Sequence, residues 1–229
     1  MFSRHTNLSV KDFHWEQIIT HSNQITLVLC VLFLLLTVIV VSSRRKLSLI
    51  LRSFFSQRYF ALIQREGKLL KEKMSFTVLL FDILTISTSI VQFSSIYIPN
   101  FLYRTPYSAK IGIFFWLLFV AYFIKLFFYQ MYSYLFDRKK ELELIIQYKF
   151  VFVTDFALVV FPSTILIEYS GLNFLFYVIS GILVVLFGFW IYRLIKINPK
   201  GGNIFHFFLY FCTLEVLPWL ILVKFMLKF

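Results

Sequence analysis

Four ionisable side chains lie inside apolar segments of this chain, and their chemistry must be explained first. They are Asp82, Lys125, Asp155 and Glu215. A charge near the middle of a membrane costs about 2.5 kcal/mol or more, so each group needs a partner. At a rise of about 1.5 Å per residue, Asp82, Lys125 and Glu215 reach a similar depth. We therefore expect these four residues to form an intramembrane polar network in which Lys125 pairs with Asp82, Glu215 or both.

Two roles for this network stay open at the level of the sequence. A buried ion pair can fix the register of packed helices without taking part in any reaction. The same groups can also form a proton or ion relay, or a polar binding cavity.

Motifs of known enzymes are missing from the sequence. It has no H-E-x-x-H, no phosphate-binding glycine loop and no Gly-x-Ser-x-Gly frame. Cys30 and Cys212 each lie in an apolar segment, and no two of the four histidines have the spacing of metal ligands. We therefore assign no catalytic residue, metal or cofactor, and the sequence leans against enzymatic activity without deciding it.

Composition places the chain in a membrane. Of its 229 residues, 60% are hydrophobic and 21% aromatic, and the mean hydropathy is +0.81, whereas about half of a soluble domain is apolar. The net charge is +12, but Lys and Arg cluster between the apolar runs. That pattern is typical of the positive-inside rule, so we expect no nucleic-acid partner.

Six apolar runs predict an all-α, six-transmembrane-helix bundle that forms a single integral membrane domain over residues 1–229. The three inner loops hold nine, four and three basic residues, while the outer segments together hold about five. This bias predicts that both termini are periplasmic. The predicted spans are 25–43, 74–98, 111–136, 150–168, 172–192 and 204–226.

A basic segment, residues 44–73, follows the first span. It holds nine Lys and Arg residues against Glu66 and Glu72, and its apolar residues have helical spacing. We expect amphipathic helices on the cytoplasmic surface, in contact with anionic lipid head groups. A docking surface for another protein is the alternative.

Two further patterns predict how helices pack. Ser75, Asp82, Thr85, Ser89 and Gln92 share one stripe of the second span, which should face other helices or a wet cavity. In the fifth span, Gly181 and Gly188 are seven residues apart. They offer a small-residue face for close helix packing.

The last apolar run contains the most specific pattern in the chain. Glu215 lies three residues before Pro218, which removes a backbone donor and loosens the helix near the acid. Tyr210, Cys212, Glu215, Pro218 and Lys224, in YFCTLEVLPWLILVK, resemble the closing signature of an uncharacterised polytopic inner-membrane family of Bacteroidetes, DUF4271. The resemblance implies a multi-pass protein in the cytoplasmic membrane of a double-membrane bacterium. It transfers no catalytic residue.

These observations favour a non-enzymatic accessory or structural subunit of an inner-membrane protein complex, serving protein export or envelope biogenesis. Its expected partners are membrane lipids and other inner-membrane subunits. One alternative is a small proton- or ion-coupled transporter or channel. Another is a membrane enzyme that acts on a lipid or polyprenyl-linked substrate.

Overall fold

A computed structural model of the protein describes residues 6–65, 73–97, 105–136, 139–170, 173–197 and Lys224. The helices are α1 (Thr6–Phe55), α2 (Gln57–Arg65), α3 (Lys73–Tyr97), α4 (Tyr107–Phe136), α5 (Lys139–Ser170) and α6 (Asn173–Ile197). No β-strand occurs in these parts of the chain, which confirms the all-α fold class. The sixth predicted span, 204–226, lies outside the described residues apart from Lys224.

Among the described residues, four helices are long and apolar enough to cross a membrane, so the chain is a membrane protein. The crossing segments are Asn23–Phe54, Met74–Ser95, Tyr107–Met131 and Ile145–Ser170, and they contain or overlap the first four predicted spans. The fifth predicted span falls on α6, which has a shorter apolar stretch at Tyr177–Phe189. A total of six spans with both termini periplasmic stays a prediction.

Helix α1 kinks where its apolar run meets the basic residues. The backbone of Ser43 leaves helical geometry, with φ −153° and ψ 48°, directly before Arg44. Helical geometry then resumes as far as Phe55, and α2 begins at Gln57. We call residues 44–65 the basic platform, and we call the end of the bundle that carries it the basic end. The opposite end is the far end.

Helix α3 lies at the centre of the bundle, where it contacts α1, α4 and α5. The Phe81 ring of α3 packs edge-on against the Phe161 ring of α5, with centroids 5.7 Å apart. Because lipid tails are as apolar as this core, the helices are held by close van der Waals packing and by interhelical hydrogen bonds. Buried members of the core include Ile25, Leu32, Ile39, Val78, Phe81, Val91, Phe114, Ala157 and Phe161.

Hydrogen bonds at the far end show the relative directions of α1, α4 and α5. At the far end, the Ser108 backbone N–H of α4 donates to Gln24 Oε1 of α1 at 3.2 Å. The hydroxyl groups of Thr26 in α1 and Tyr169 in α5 are 3.0 Å apart there. Helices α1 and α4 therefore run parallel to each other and antiparallel to α5.

The basic platform packs its apolar side on the protein itself. Ile50 of α1 and Phe60 and Ile63 of α2 are buried in one cluster with Tyr148 and Val151 of α5. The sequence predicted that this side would lie on the membrane surface. For residues 44–65 the structure shows that part of this side packs on Tyr148 and Val151 of α5, which lie in the crossing segment Ile145–Ser170. Contact with lipid head groups stays a prediction. Residues 66–72 lie outside the described parts.

The glycines of α6 do not pack as the sequence suggested. A Cβ atom built on Gly181 or Gly188 meets no atom within 4 Å among the described residues, and both positions are exposed. The close-packed helix face predicted at these two residues is therefore wrong for the contact between α5 and α6.

We predict that Phe81→Ala lowers the free energy of unfolding by about 3 kcal/mol, the usual cost of truncating a buried phenylalanine. The Phe81 ring is 1% exposed and loses its contact with Phe161. Phe127→Ala is the matched control, since the Phe127 ring is 64% exposed and its loss should cost less than about 0.5 kcal/mol. Reversible unfolding in detergent micelles measures both; equal losses would contradict the central position of α3.

Candidate functional site

Helix α3 turns its polar side chains toward the other helices. Ser75, Asp82, Thr85 and Gln92 are buried, and Ser89 is half-buried. The spacing of these residues places them on one face, and the structure puts that face inside the bundle. A polar interior therefore exists at the level of the membrane, and its partners decide what it can do.

Several hydroxyl groups of α3 bond to the helix itself. Ser87, Thr88 and Ser89 each donate to the carbonyl oxygen four residues earlier, at 2.7, 2.8 and 3.0 Å. An ionised carboxylate accepts hydrogen bonds but donates none. An ionised Asp82 cannot use the same carbonyl acceptors, and the donor it has comes from another helix.

That partner is Thr154 of α5. Its hydroxyl group donates to Asp82 Oδ2 at 2.8 Å and also lies 3.0 Å from the Phe150 carbonyl oxygen. Asp82 is 0% exposed and Thr154 is buried. The contact therefore joins α3 to α5 in a part of the bundle that solvent does not reach.

A second contact joins the same two helices nearer the far end. The Gln92 side-chain amide donates to the Thr164 carbonyl oxygen at 3.2 Å and to Glu168 Oε2 at 3.1 Å. Gln92 is buried and Glu168 is half-buried. One amide group thus connects the interior of the bundle to an acid at the edge of the span.

The two contacts set the register of α3 against α5. Asp82 and Gln92 are ten residues apart, and so are their partners Thr154 and Thr164. Ten residues of helix span about 15 Å, so α3 and α5 run parallel and in step over that length. Pro162 lies between the contacts and lacks an N–H group, yet α5 remains helical from Lys139 to Ser170.

Three of the four residues of the predicted polar network, Asp82, Lys125 and Asp155, lie in the described parts, and the network itself stays a prediction. Asp155 is buried on α5, next to the residue that binds Asp82. Lys125 is half-buried on α4, but in the described parts Asp82 receives its hydrogen bond from Thr154, and Lys125 gives it none. Glu215 lies outside the described residues, so an electrostatic pairing of Lys125 with either acid stays a prediction.

Neutral partners were missed by the sequence reasoning. It looked for charges opposite Asp82, while Thr154 supplies a hydroxyl group. The matched spacing of ten residues between Asp82 and Gln92 and between Thr154 and Thr164 was the available signal. It is weak, because Ser and Thr are frequent in these helices.

The face of α4 that holds Lys125 also carries tyrosines. Tyr122 is half-buried and lies within electrostatic range of Asp82. One turn beyond Lys125, the Tyr129 hydroxyl group accepts a hydrogen bond from Lys149 Nζ of α5 at 2.5 Å, and the Lys149 ammonium lies 5.0 Å from the Tyr129 ring centroid. A lysine near the basic end of α5 is therefore held by a tyrosine of α4.

A metal site built from several acidic, His or Cys ligands is not found among the described side chains. Nowhere among them do three or more His, Cys, Asp or Glu residues converge as ligands. Cys30 is exposed on α1. The C-terminal pattern of Tyr210, Cys212, Glu215 and Pro218 lies outside the described residues, so its contacts stay a matter of prediction.

A family model, described as a domain of unknown function (DUF4271), matches residues 25–226. The chain belongs to the DUF4271 family. The match covers the four crossing helices, α6 and the C-terminal pattern, so the membrane bundle and the family domain coincide. Comparisons with curated proteins and with solved structures found no match.

We predict that Thr154→Val lowers the free energy of unfolding by about 1 to 2 kcal/mol, because it leaves a buried carboxyl oxygen without its donor. In an Asp82→Leu background the same substitution should cost much less, since no acceptor remains. Thr37→Val is the control: the Thr37 hydroxyl group bonds to the Phe33 carbonyl oxygen of its own helix at 2.8 Å. A Thr154→Val loss of equal size in both backgrounds would show that the two residues are not coupled.

Proposed function

We propose that this DUF4271 protein is a non-enzymatic accessory subunit of a protein complex in the bacterial cytoplasmic membrane, serving protein export or envelope biogenesis. In this proposal it has six spans, both termini are periplasmic and the basic platform is cytoplasmic. The observation that carries the proposal is the platform itself, which is fixed to the bundle by its apolar side and positively charged on its exposed side.

The platform has a defined orientation because several of its apolar side chains pack within the chain. An amphipathic helix that anchors itself among lipid head groups needs an uncovered apolar face. Here part of that face is occupied, since Ile50, Phe60 and Ile63 pack on Tyr148 and Val151. The exposed side is therefore held at one angle to the spans, as a binding surface requires.

Arginine dominates the exposed side of the platform. Among the side chains that the structure describes there, the exposed basic ones are Arg44, Arg45, Arg52 and Arg58. The Arg52 guanidinium lies 5.9 Å from the Tyr59 ring centroid, and this contact restricts its position. Because a guanidinium binds a carboxylate through two parallel hydrogen bonds, we take the partner to be an acidic cytoplasmic surface of another subunit.

Apolar side chains accompany these arginines. Leu51 and Leu62 are exposed on the platform, beside Arg52 and four residues after Arg58. Surfaces that bind proteins commonly combine arginine with apolar contacts. Anionic lipid head groups carry the same negative charge as an acidic protein surface, so they can also contact these arginines. The proposal includes both contacts, and the experiment below distinguishes the protein partner from the lipid.

We predict that replacing Arg44, Arg52 and Arg58 together by Glu lowers the recovery of a stoichiometric partner about tenfold or more, equivalent to about 1.4 kcal/mol of binding. The reason is that three attractive contacts become repulsive. The measurement is quantitative mass spectrometry of the tagged full-length protein, purified from native membranes at its natural expression level. Thermal stability of the variant should be unchanged, since all three side chains are exposed.

The matched control replaces the same three arginines by Lys. It keeps the charge, so bound anionic lipid should stay at the wild-type level, while the partner that requires guanidinium groups should be recovered less well. If the wild-type protein carries anionic lipid but no stoichiometric protein, or if the Glu variant keeps its partner, the proposal is wrong.

A further inference from the structure

Two buried oxygen atoms of α3 stand out because neither has a hydrogen-bond partner among the described residues. They are Asp82 Oδ1 and Thr85 Oγ1, and both residues are 0% exposed. Residues three apart lie on the same side of a helix, with Cβ atoms about 5–6 Å apart. Two oxygen atoms that need a partner therefore occur together in the interior of the bundle.

Thr85 differs from the other hydroxyl residues of its helix. Thr88 is also 0% exposed, but its hydroxyl group donates to the Leu84 carbonyl oxygen at 2.8 Å. Ser87 and Ser89 use the same arrangement. Thr85 does not, although a carbonyl oxygen four residues earlier is the usual acceptor for a buried threonine in a helix. Its hydroxyl oxygen is thus left for another ligand.

Asp82 is not adequately stabilised as a bare anion. A carboxylate has about four acceptor sites, and the structure fills one, through Thr154. In the membrane interior, where water does not supply the rest, an ionised carboxylate with one hydrogen bond is strongly disfavoured. A positive charge at Asp82 Oδ1 would remove this cost.

Among the described residues, no charged side chain gives a hydrogen bond to Asp82 Oδ1. On α4, Tyr122 lies within electrostatic range of Asp82. Lys125 follows Tyr122 by three residues on the same helix and gives no hydrogen bond to Asp82 Oδ1. From α5, the neighbour of Thr154 is Asp155, a second buried acid, and two acids in one apolar region disfavour two negative charges. Helix α1 has no acidic or basic residue between Asn23 and Ser43.

We propose that Asp82 Oδ1 binds one monovalent cation, a proton or Na⁺, and that the Thr85 hydroxyl oxygen is a second ligand when the cation is Na⁺, since the two oxygens are not hydrogen-bonded to each other as a shared proton would require. Thr154 continues to donate to Asp82 Oδ2, so the cation and the contact between α3 and α5 use different oxygen atoms of the same carboxyl group. Hard cations prefer oxygen ligands of this kind. The site goes beyond the proposed function and does not depend on it, because it lies within the bundle and not on the platform.

Infrared spectroscopy of the purified full-length protein in lipid nanodiscs tests the site. In choline chloride at neutral pH, the wild-type protein should show the carbonyl stretch of a protonated carboxyl group that Asp82→Asn lacks. If NaCl at the same pH removes this band, the cation is Na⁺ exchanging with a proton. If the band responds to pH alone, the cation is a proton.

Two threonine variants separate the ligand from its surroundings. In the NaCl titration, Thr85→Val should raise the Na⁺ concentration that removes the band about tenfold, as expected for the loss of one oxygen ligand, whereas the pH at which the band disappears in choline chloride should be unchanged. Thr88→Val should change neither, because the Thr88 hydroxyl group is bonded to its own helix. Gel filtration and thermal unfolding confirm that both variants are folded.

Two results would overturn the proposal. One is that spectra of wild-type protein and Asp82→Asn show the same protonated carboxyl bands at every pH in choline chloride, which would mean that Asp82 takes up no proton. The other is that Thr85→Val and Thr88→Val change the titration equally, which would remove Thr85 as a ligand.

Discussion

A carboxyl group inside a membrane protein has to be given partners by the protein, and at Asp82 the partner is a single hydroxyl group 2.8 Å away. The position of α3 depends on this constraint, because moving α3 by one residue would turn Asp82 by about 100° and remove its donor. The second contact, from Gln92 to the Thr164 carbonyl oxygen, lies ten residues further along both helices. Together the two contacts hold α3 and α5 parallel and in one register. The apolar side chains of the core then pack against these two helices through van der Waals contacts.

Helix α5 is the element on which the other parts converge. It binds the acid of α3 through Thr154, holds Lys149 against Tyr129 of α4, and covers part of the apolar side of the basic platform with Tyr148 and Val151. The interior of the bundle and its charged surface are thus built on one helix. A partner bound at the platform and a cation bound at Asp82 would both act on α5, at positions about one to two helical turns apart.

Much of the fold could be predicted from the sequence because lipid imposes simple rules. Long apolar runs located the first four spans, although the first crossing segment extends to Phe54, past the predicted end at residue 43. Helical spacing placed the polar stripe of α3 inside. The kink at Ser43, directly before the basic cluster, was not predicted. The partner of Asp82 could not be predicted in the same way. Lys125 was an obvious candidate because its charge is opposite to that of Asp82. Thr154 is one of many Ser and Thr residues in these helices, and only the three-dimensional arrangement of α3 and α5 shows that Thr154 is the donor. The same limit applies to Gly181 and Gly188, whose spacing indicates a small face but not whether a neighbour lies against it.

The most direct test of this account is disulfide formation in the membrane, after Cys30 and Cys212 have been replaced by Ser. With Asp82→Cys in α3, oxidation should link it to Thr154→Cys in α5, and a second pair, Gln92→Cys with Thr164→Cys, should link with similar efficiency because the helices are in step. A cysteine at position 82 that couples preferentially to Lys125→Cys in α4, with little product at Thr154→Cys, would contradict the register on which the interior depends.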